Sequence, residues 1–173
     1  DSVMLAAAVA AAPRQRVCDL GLGAGTASLC LAARISGLHF TGVEIDRNLA
    51  ELAQANAARN AHAASFEIVV ADVLKRPRAL ERQSFHHVMT NPPFHNADRG
   101  TRAPMAGKAQ ATAARPRELI EWLRFARALA RPKGWVTAIV PPDQLPSALR
   151  ALSPEGLGVE IFPLWPKAGV AAK

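Results

Sequence analysis

The 173 residues include no tyrosine and only two cysteines, and Phe and Trp together make up 5% of the chain. Each scarcity excludes something. With no aromatic series, a stacking platform for single-stranded nucleic acid would rest on Phe94 and little else. Cys18 lies in a strand-like run and Cys30 in a helix-like one, so they form neither a disulfide framework nor a zinc ligand set. His39, His62, His86 and His87 show no metal-ligand spacing, and no metal is expected. Half of the residues are hydrophobic, yet no apolar run approaches the span of a bilayer, and Arg14 and Arg16 interrupt the alanine-rich start. The opening Asp1-Ser-Val-Met-Leu lacks the basic flank of a signal peptide. The expectation is a soluble, cytoplasmic chain with reduced thiols and no membrane partner.

What the chain has in quantity is basic charge. The formal net charge is +7 and the isoelectric point about 10.4. A positive field favours a polyanionic partner, although arginines spread along the sequence also suit a solvated surface. At this length one domain, residues 1–173, is expected, and a domain of that size buries about 70% of its unfolded surface. The missing initial Met and the stop at Lys173 point to a chain truncated at both ends. Nothing in the sequence sets the oligomeric state.

Hydrophobic periodicity predicts alternating elements. A helix over residues 2–12 ends at Pro13, and strands follow at 17–20, 39–44, 66–71, 84–90 and 135–140. Helices are predicted from Thr26 to about Ser36, from Asp46 as N-cap to Asn60, from Pro116 through Leu129, and from Pro141 to Leu149. Val159 to Trp165 reads as a sixth strand, which Pro163 pushes towards an edge or bulge. Trp122 and Trp135 are assigned to the core of the last helix and strand. Trp165 would be exposed if its partner strand is absent. Such alternation gives a doubly wound α/β fold, a mostly parallel sheet with right-handed crossovers. The aperiodic stretch to about Arg115 reads as a loop over the substrate opening or as a connector.

The candidate site lies at the carboxyl strand ends, where open α/β sheets bind ligands. Asp19-Leu-Gly-Leu-Gly-Ala-Gly25 puts Gly21, Gly23 and Gly25 between a strand and a helix, so the backbone can turn sharply towards a ligand. The dinucleotide fingerprint has a different third spacing, with Thr26 here standing at its expected glycine. Asp19 would also repel a pyrophosphate, whereas a cationic ligand reverses that sign. Glu44 ends the second strand, where an acid takes ribose hydroxyls in several nucleotide folds. Asp72 ends the third, placed to accept from an adenine amine or simply to cap, with Ile45 and Val73 as apolar walls. Asn91-Pro-Pro-Phe94 follows the fourth strand. Its two prolines fix two φ angles and remove two donors, leaving the Asn91 and Pro92 carbonyls aimed and free. The bland reading of the tetrad is a tight turn with a core Phe94. His95, just after it, reads as a surface residue or a catalytic one.

These motifs, with Val43-Glu-Ile-Asp46 and Pro163-Leu-Trp-Pro, resemble the class I S-adenosylmethionine-dependent methyltransferases, and more narrowly the bacterial tRNA adenine methyltransferases acting on valine tRNA. The resemblance covers nearly the whole chain. It implies a Rossmann-like sheet whose final antiparallel strand this chain lacks, with S-adenosyl-L-methionine as cofactor and RNA, tRNA foremost, as partner. The implied cofactor contacts are Asp19, Gly21, Gly23, Gly25, Glu44, Ile45, Asp72, Val73 and Asn91, with Asn91, Pro92 and Phe94 holding the target amine. That family commonly has tyrosine where Phe94 stands, and the Phe94-His95 pair is also similar to the ribosomal RNA guanine methyltransferases. Release-factor glutamine methyltransferases share an Asn-Pro-Pro-aromatic tetrad as well.

Overall fold

Val17, Cys18 and Leu20 in β1 (Arg16–Leu20) and Phe40 and Val43 in β2 (His39–Glu44) are all buried, with only the first residue of each strand exposed. Near-continuous burial of this kind belongs to parallel strands covered on both faces. In the computed structural model, which describes residues 1–93, 116–153 and 158–165, they pair with β3 (Phe66–Val70), β4 (Phe85–Thr90) and β5 (Ala130–Ala138) in the order β3-β2-β1-β4-β5. Every neighbouring pair is parallel. The chain runs outward from β1 to β3 and returns to the far side of β1 for β4, so strand order reverses between β1 and β4. A crevice at that reversal is the ligand position of open α/β sheets.

Helix α1 (Ser2–Ala8) and α2 (Thr26–Arg34) bury Leu5, Ala6, Leu31 and Ala32 in a cluster with Val17, Phe40, Phe66 and Met89. The Phe40 and Phe66 rings stack with centroids 4.6 Å apart. Asp46 caps α3 (Arg47–Arg59), accepting from the Asn48 and Leu49 amides at 2.8 and 3.3 Å. Helix α4 (Pro116–Leu129), α5 (Leu145–Leu152), the latter entered through a 3-10 turn at Pro142–Gln144, and 3-10 turns at Ala63–Ser65 and Val73–Lys75 complete the elements among the described residues. Two compact units result. One comprises Asp1–Pro92 with Phe125–Ile139, the other Pro93–Arg124 with Val140–Lys173.

Four expectations are corrected. The first helix stops at Ala8 rather than residue 12, because the polar groups beyond it find other partners. Arg34 donates to the carbonyls of Ala6 and Val9, and the Ala12 amide donates to Gln15 Oε1. β5 starts at Ala130 and contains an irregularity. Two β4 residues, Phe85 and His87, span the interval from Ala130 to Trp135. Trp135 is 54% exposed on this outermost strand instead of buried. Residues 158–165 form no strand. Pro163 lacks an N–H, and Val159, Ile161, Phe162 and Trp165 are all exposed, so no buried face specifies a register there.

Candidate active site

The glycine segment leaves β1 and folds onto the end of β2. The Gly21 and Leu22 amides both donate to the Val43 carbonyl, at 2.9 and 3.0 Å. Gly21, Gly23 and Gly25 adopt φ of 78°, 56° and 83°, the left-handed region that other residues enter at a cost. At Gly23 an added Cβ would meet nothing within 4 Å, so that face of the loop is open. Gly42 does a different job. Its missing side chain admits Leu22, whose Cδ2 would lie 2.5 Å from a Cβ there.

Glu44 clamps the loop to the second strand. One carboxylate oxygen accepts from the Gly23 amide at 2.7 Å and the other from the Asp46 amide at 2.9 Å. Each oxygen keeps acceptor capacity for a further donor. Asp19, 2% exposed, accepts from Ser28 Oγ at 2.7 Å. Burial pushes its carboxyl up from 3.8 to about 6; the Ser28 hydroxyl works against that rise and the nearby Glu44 charge adds to it. From α3, Asn56 Nδ2 donates to the Ala24 carbonyl at 3.0 Å and holds the loop from its other side.

At the third strand end Asp72 caps a short 3-10 turn through the Leu74 amide at 2.9 Å. Val73 is packed inward, while Ile45 stands 67% exposed beside Glu44. Across the order reversal, Thr90 Oγ1 donates to the Leu20 carbonyl at 2.7 Å. Leu20 and Thr90 are register partners, so Gly21 and Asn91 each follow the last paired residue of adjacent strands. Asn91 is exposed and Pro92 buried. Phe94, His95 and the stretch to Arg115 lie outside the described residues.

The structure therefore brings Asp19, Gly21, Gly23, Gly25 and Glu44 into one bonded assembly and sets Asn91 next to it. Sequence reasoning missed Ser28, Gly42 and Thr90 as parts of that assembly, and it read Asn56 only as a helix residue. No Lys or Arg pairs with Asp19, Glu44, Asp46 or Asp72 among the described residues. An anionic, open-faced glycine bend with an exposed apolar residue beside it suits a cationic nucleoside, so the residues present fit S-adenosyl-L-methionine. Glu44 would hold the ribose hydroxyls, and the Asp19 charge would sit below the methionine portion. When bound, that group supplies an electrophilic methyl.

Known proteins point the same way. Residues 1–115 match the family model for the methyltransferase small domain. A tRNA1(Val) (adenine(37)-N6)-methyltransferase of Shewanella baltica is 34% identical over 112 residues, 64% of this chain and 46% of the relative. One from Porphyromonas gingivalis is 31% identical over 133 residues, 76% of this chain and 51% of the relative. The chain thus spans about half the length of these curated relatives. Among solved structures, a predicted O-methyltransferase of Agrobacterium tumefaciens superposes with a TM-score of 0.67 at 28% identity, covering 88% of this chain and 67% of that one. An S-adenosylmethionine-dependent O-methyltransferase of Thermotoga maritima gives 0.64 at 17% identity, over 88% and 48% of the two chains, a likeness of fold. A Rossmann-like parallel sheet, an acid-lined glycine bend and these matches together establish that the chain belongs to the methyltransferase small domain family, whose methyl donor is S-adenosyl-L-methionine.

Proposed function

We propose that this chain is one S-adenosylmethionine-binding domain of an N-methyltransferase acting on an exocyclic amine of a base in RNA, adenine N6 of tRNA. The observation that carries the reading is the exposed Asn91 at the β4 tip, level with the glycine bend and followed by two prolines. The names of the relatives and the net charge of +7 support an RNA substrate. An aromatic amine is a weak nucleophile because its lone pair is delocalised into the ring. In this reading the Asn91 side-chain oxygen and the Pro92 carbonyl accept its two protons, which turns the lone pair towards the methyl donor. No strong base is required, since the nitrogen proton becomes acidic once the methyl has transferred. Alignment and preorganised acceptors supply the rate. Phe94 stacks on the base, which must leave its own stack, a small cost in a single-stranded loop.

The test is tritiated methyl transfer to tRNA, ribosomal RNA and release factor in parallel, with the wild-type chain and Asn91→Ala. Label in tRNA is expected. Asn91→Ala should lower it by about a hundredfold or more and leave cofactor affinity within a few-fold. Label in the ribosomal RNA or release-factor arm instead would move the substrate to a guanine N2 or a glutamine amide. Equal labelling by the variant would remove Asn91 from the chemistry.

A further inference from the structure

The sheet end opposite the glycine bend carries a row of basic residues that the methyl-transfer chemistry does not use, three of them, Arg16, Arg131 and Lys133, permanently charged. Following strand order, the first residues of β2 and β1 are His39 and Arg16, His86 is the second residue of β4, and Arg131 and Lys133 lie in the irregular start of β5. At about 4.8 Å per strand the row is about 14 Å wide. In strand order β4 lies between β1, which carries Arg16, and β5, which carries Arg131, and His86 is held below its ordinary pKa by partial burial and then by those two nearby charges. Among the described residues no carboxylate pairs with Arg16, Arg131 or Lys133. The acid nearest in the fold, Glu67 on β3, is exposed and lines the same cleft as Arg16.

Two features shape this edge. The Arg16 guanidinium lies over the Phe85 ring, 4.9 Å from its centroid, which orients the fork while leaving its N–H groups free for an anion. Lys133 sits at φ 61°, and a Cβ on Gly134 would come within 2.9 Å of the Arg131 carbonyl and 3.1 Å of the His86 carbonyl. The bulge is thus clamped tightly to β4, and bulges recur where a strand must re-aim a side chain. Beside Arg16 an open cleft of about 340 Å³, lined in part by His39, Ser65 and the exposed Glu67, offers depth between the β2 and β3 ends.

We infer that this row is a second RNA contact, binding the phosphate backbone away from the methylated base. An oriented Arg16 guanidinium, with Arg131 and Lys133 on the same edge, matches phosphate oxygens. Only the choice of RNA as the polyanion rests on the function proposed above; the row itself stands on geometry.

The experiment compares RNA binding, by fluorescence anisotropy with a labelled tRNA over a salt series, for the wild-type chain and two triple variants. Arg16→Gln/Arg131→Gln/Lys133→Gln empties the row. Arg59→Gln/Arg117→Gln/Arg150→Gln removes the same charge from exposed positions elsewhere. The row variant should bind about tenfold more weakly and lower the salt slope by about two, with S-adenosylmethionine affinity unchanged as the fold control. The other variant should lose much less. Equal losses in the two variants, or wild-type RNA affinity in the row variant, overturn the inference, as does wild-type binding to phosphatidylserine vesicles in place of tRNA. Loss of tRNA binding on emptying the row, with no RNA methylated by the wild type, would keep this contact and reject the methyl-transfer reading instead.

Discussion

At the carboxyl ends of β1, β2 and β3 the chain carries Asp19, Glu44 and Asp72; at the amino ends of β1, β2 and β4 it carries Arg16, His39 and His86. The same strands therefore present an anionic crevice at one end and a cationic edge at the other, and the net charge of +7 hides this division. The ends also differ in what they do with backbone. Glu44 and Asp72 are bonded to amides of the glycine bend and helix caps and Asp19 to the Ser28 hydroxyl, whereas Arg16 and His86 meet through a 3.2 Å bond from the Arg16 amide to His86 Nδ1. The lesson is that the acids shape their crevice and the bases only decorate a rim, so substitutions at the two ends should fail in different ways.

The largest test of that difference is pH. Asp19 rises from 3.8 to about 6 in the folded chain, so between those values the native state binds more protons than the unfolded one. Stability must then fall as pH climbs from about 4 to about 6, by up to about 3 kcal/mol at 1.36 kcal/mol per unit. His86 and His87 are lowered, by burial first and by neighbouring positive charge second. Their contribution has the opposite sign, being lost as pH falls below about 6.5. Asp19→Asn keeps an acceptor for Ser28 and removes the ionisation. Urea melts at pH 4 to 7 should show that variant more stable than wild type at pH 7, with only the histidine slope left, and binding S-adenosylmethionine more weakly. A variant that still loses stability as pH rises from 4 to 6 would break the account.

Next in size is Glu44→Gln. The amide cannot accept from both the Gly23 and Asp46 amides, and a charge that matches a cationic ligand is gone. A charged hydrogen bond lost this way is worth about 2 kcal/mol, or about thirtyfold in cofactor dissociation constant by calorimetry. Glu67→Gln, at the amino end of β3, should leave that constant unchanged. Equal effects at both ends would show that only overall charge matters.

The strands were legible because Val17, Cys18 and Leu20, and likewise Phe85, Val88 and Met89, gather just ahead of a glycine or proline, and Glu44 and Asp72 because each is the polar residue at the end of such a run; Asp19 was legible from the glycines that follow it. Ser28 and Thr90 were not legible as partners. Their hydroxyls reach Asp19 and the Leu20 carbonyl across 9 and 70 residues of sequence, and nothing local marks a distant acceptor. Gly42 looked like an ordinary strand glycine, since only the fold reveals that Leu22 occupies the space above it. Residues 158–165 misled for the converse reason. Alternating apolar side chains satisfy a strand pattern, but a pattern supplies no partner for the backbone.

The smallest effect should come from Asn56, and it asks how much of the crevice is shaped from outside the sheet. Asn56 and Ala53 lie three residues apart on one face of α3; Asn56 donates to the Ala24 carbonyl, and a Cβ on Gly25 would stand 3.4 Å from the Ala53 Cβ. Asn56→Ala removes one partly buried hydrogen bond, worth about 1 kcal/mol. If the helix sets the loop's shape, cofactor affinity falls about fivefold, and Asn56→Asp falls further because a carboxylate facing the Ala24 carbonyl cannot donate. If both variants bind cofactor as the wild type does, the three bonds from Gly21, Leu22 and Gly23 to β2 hold the bend unaided. The crevice would then be wholly a property of the strand ends, and α3 no more than its wall.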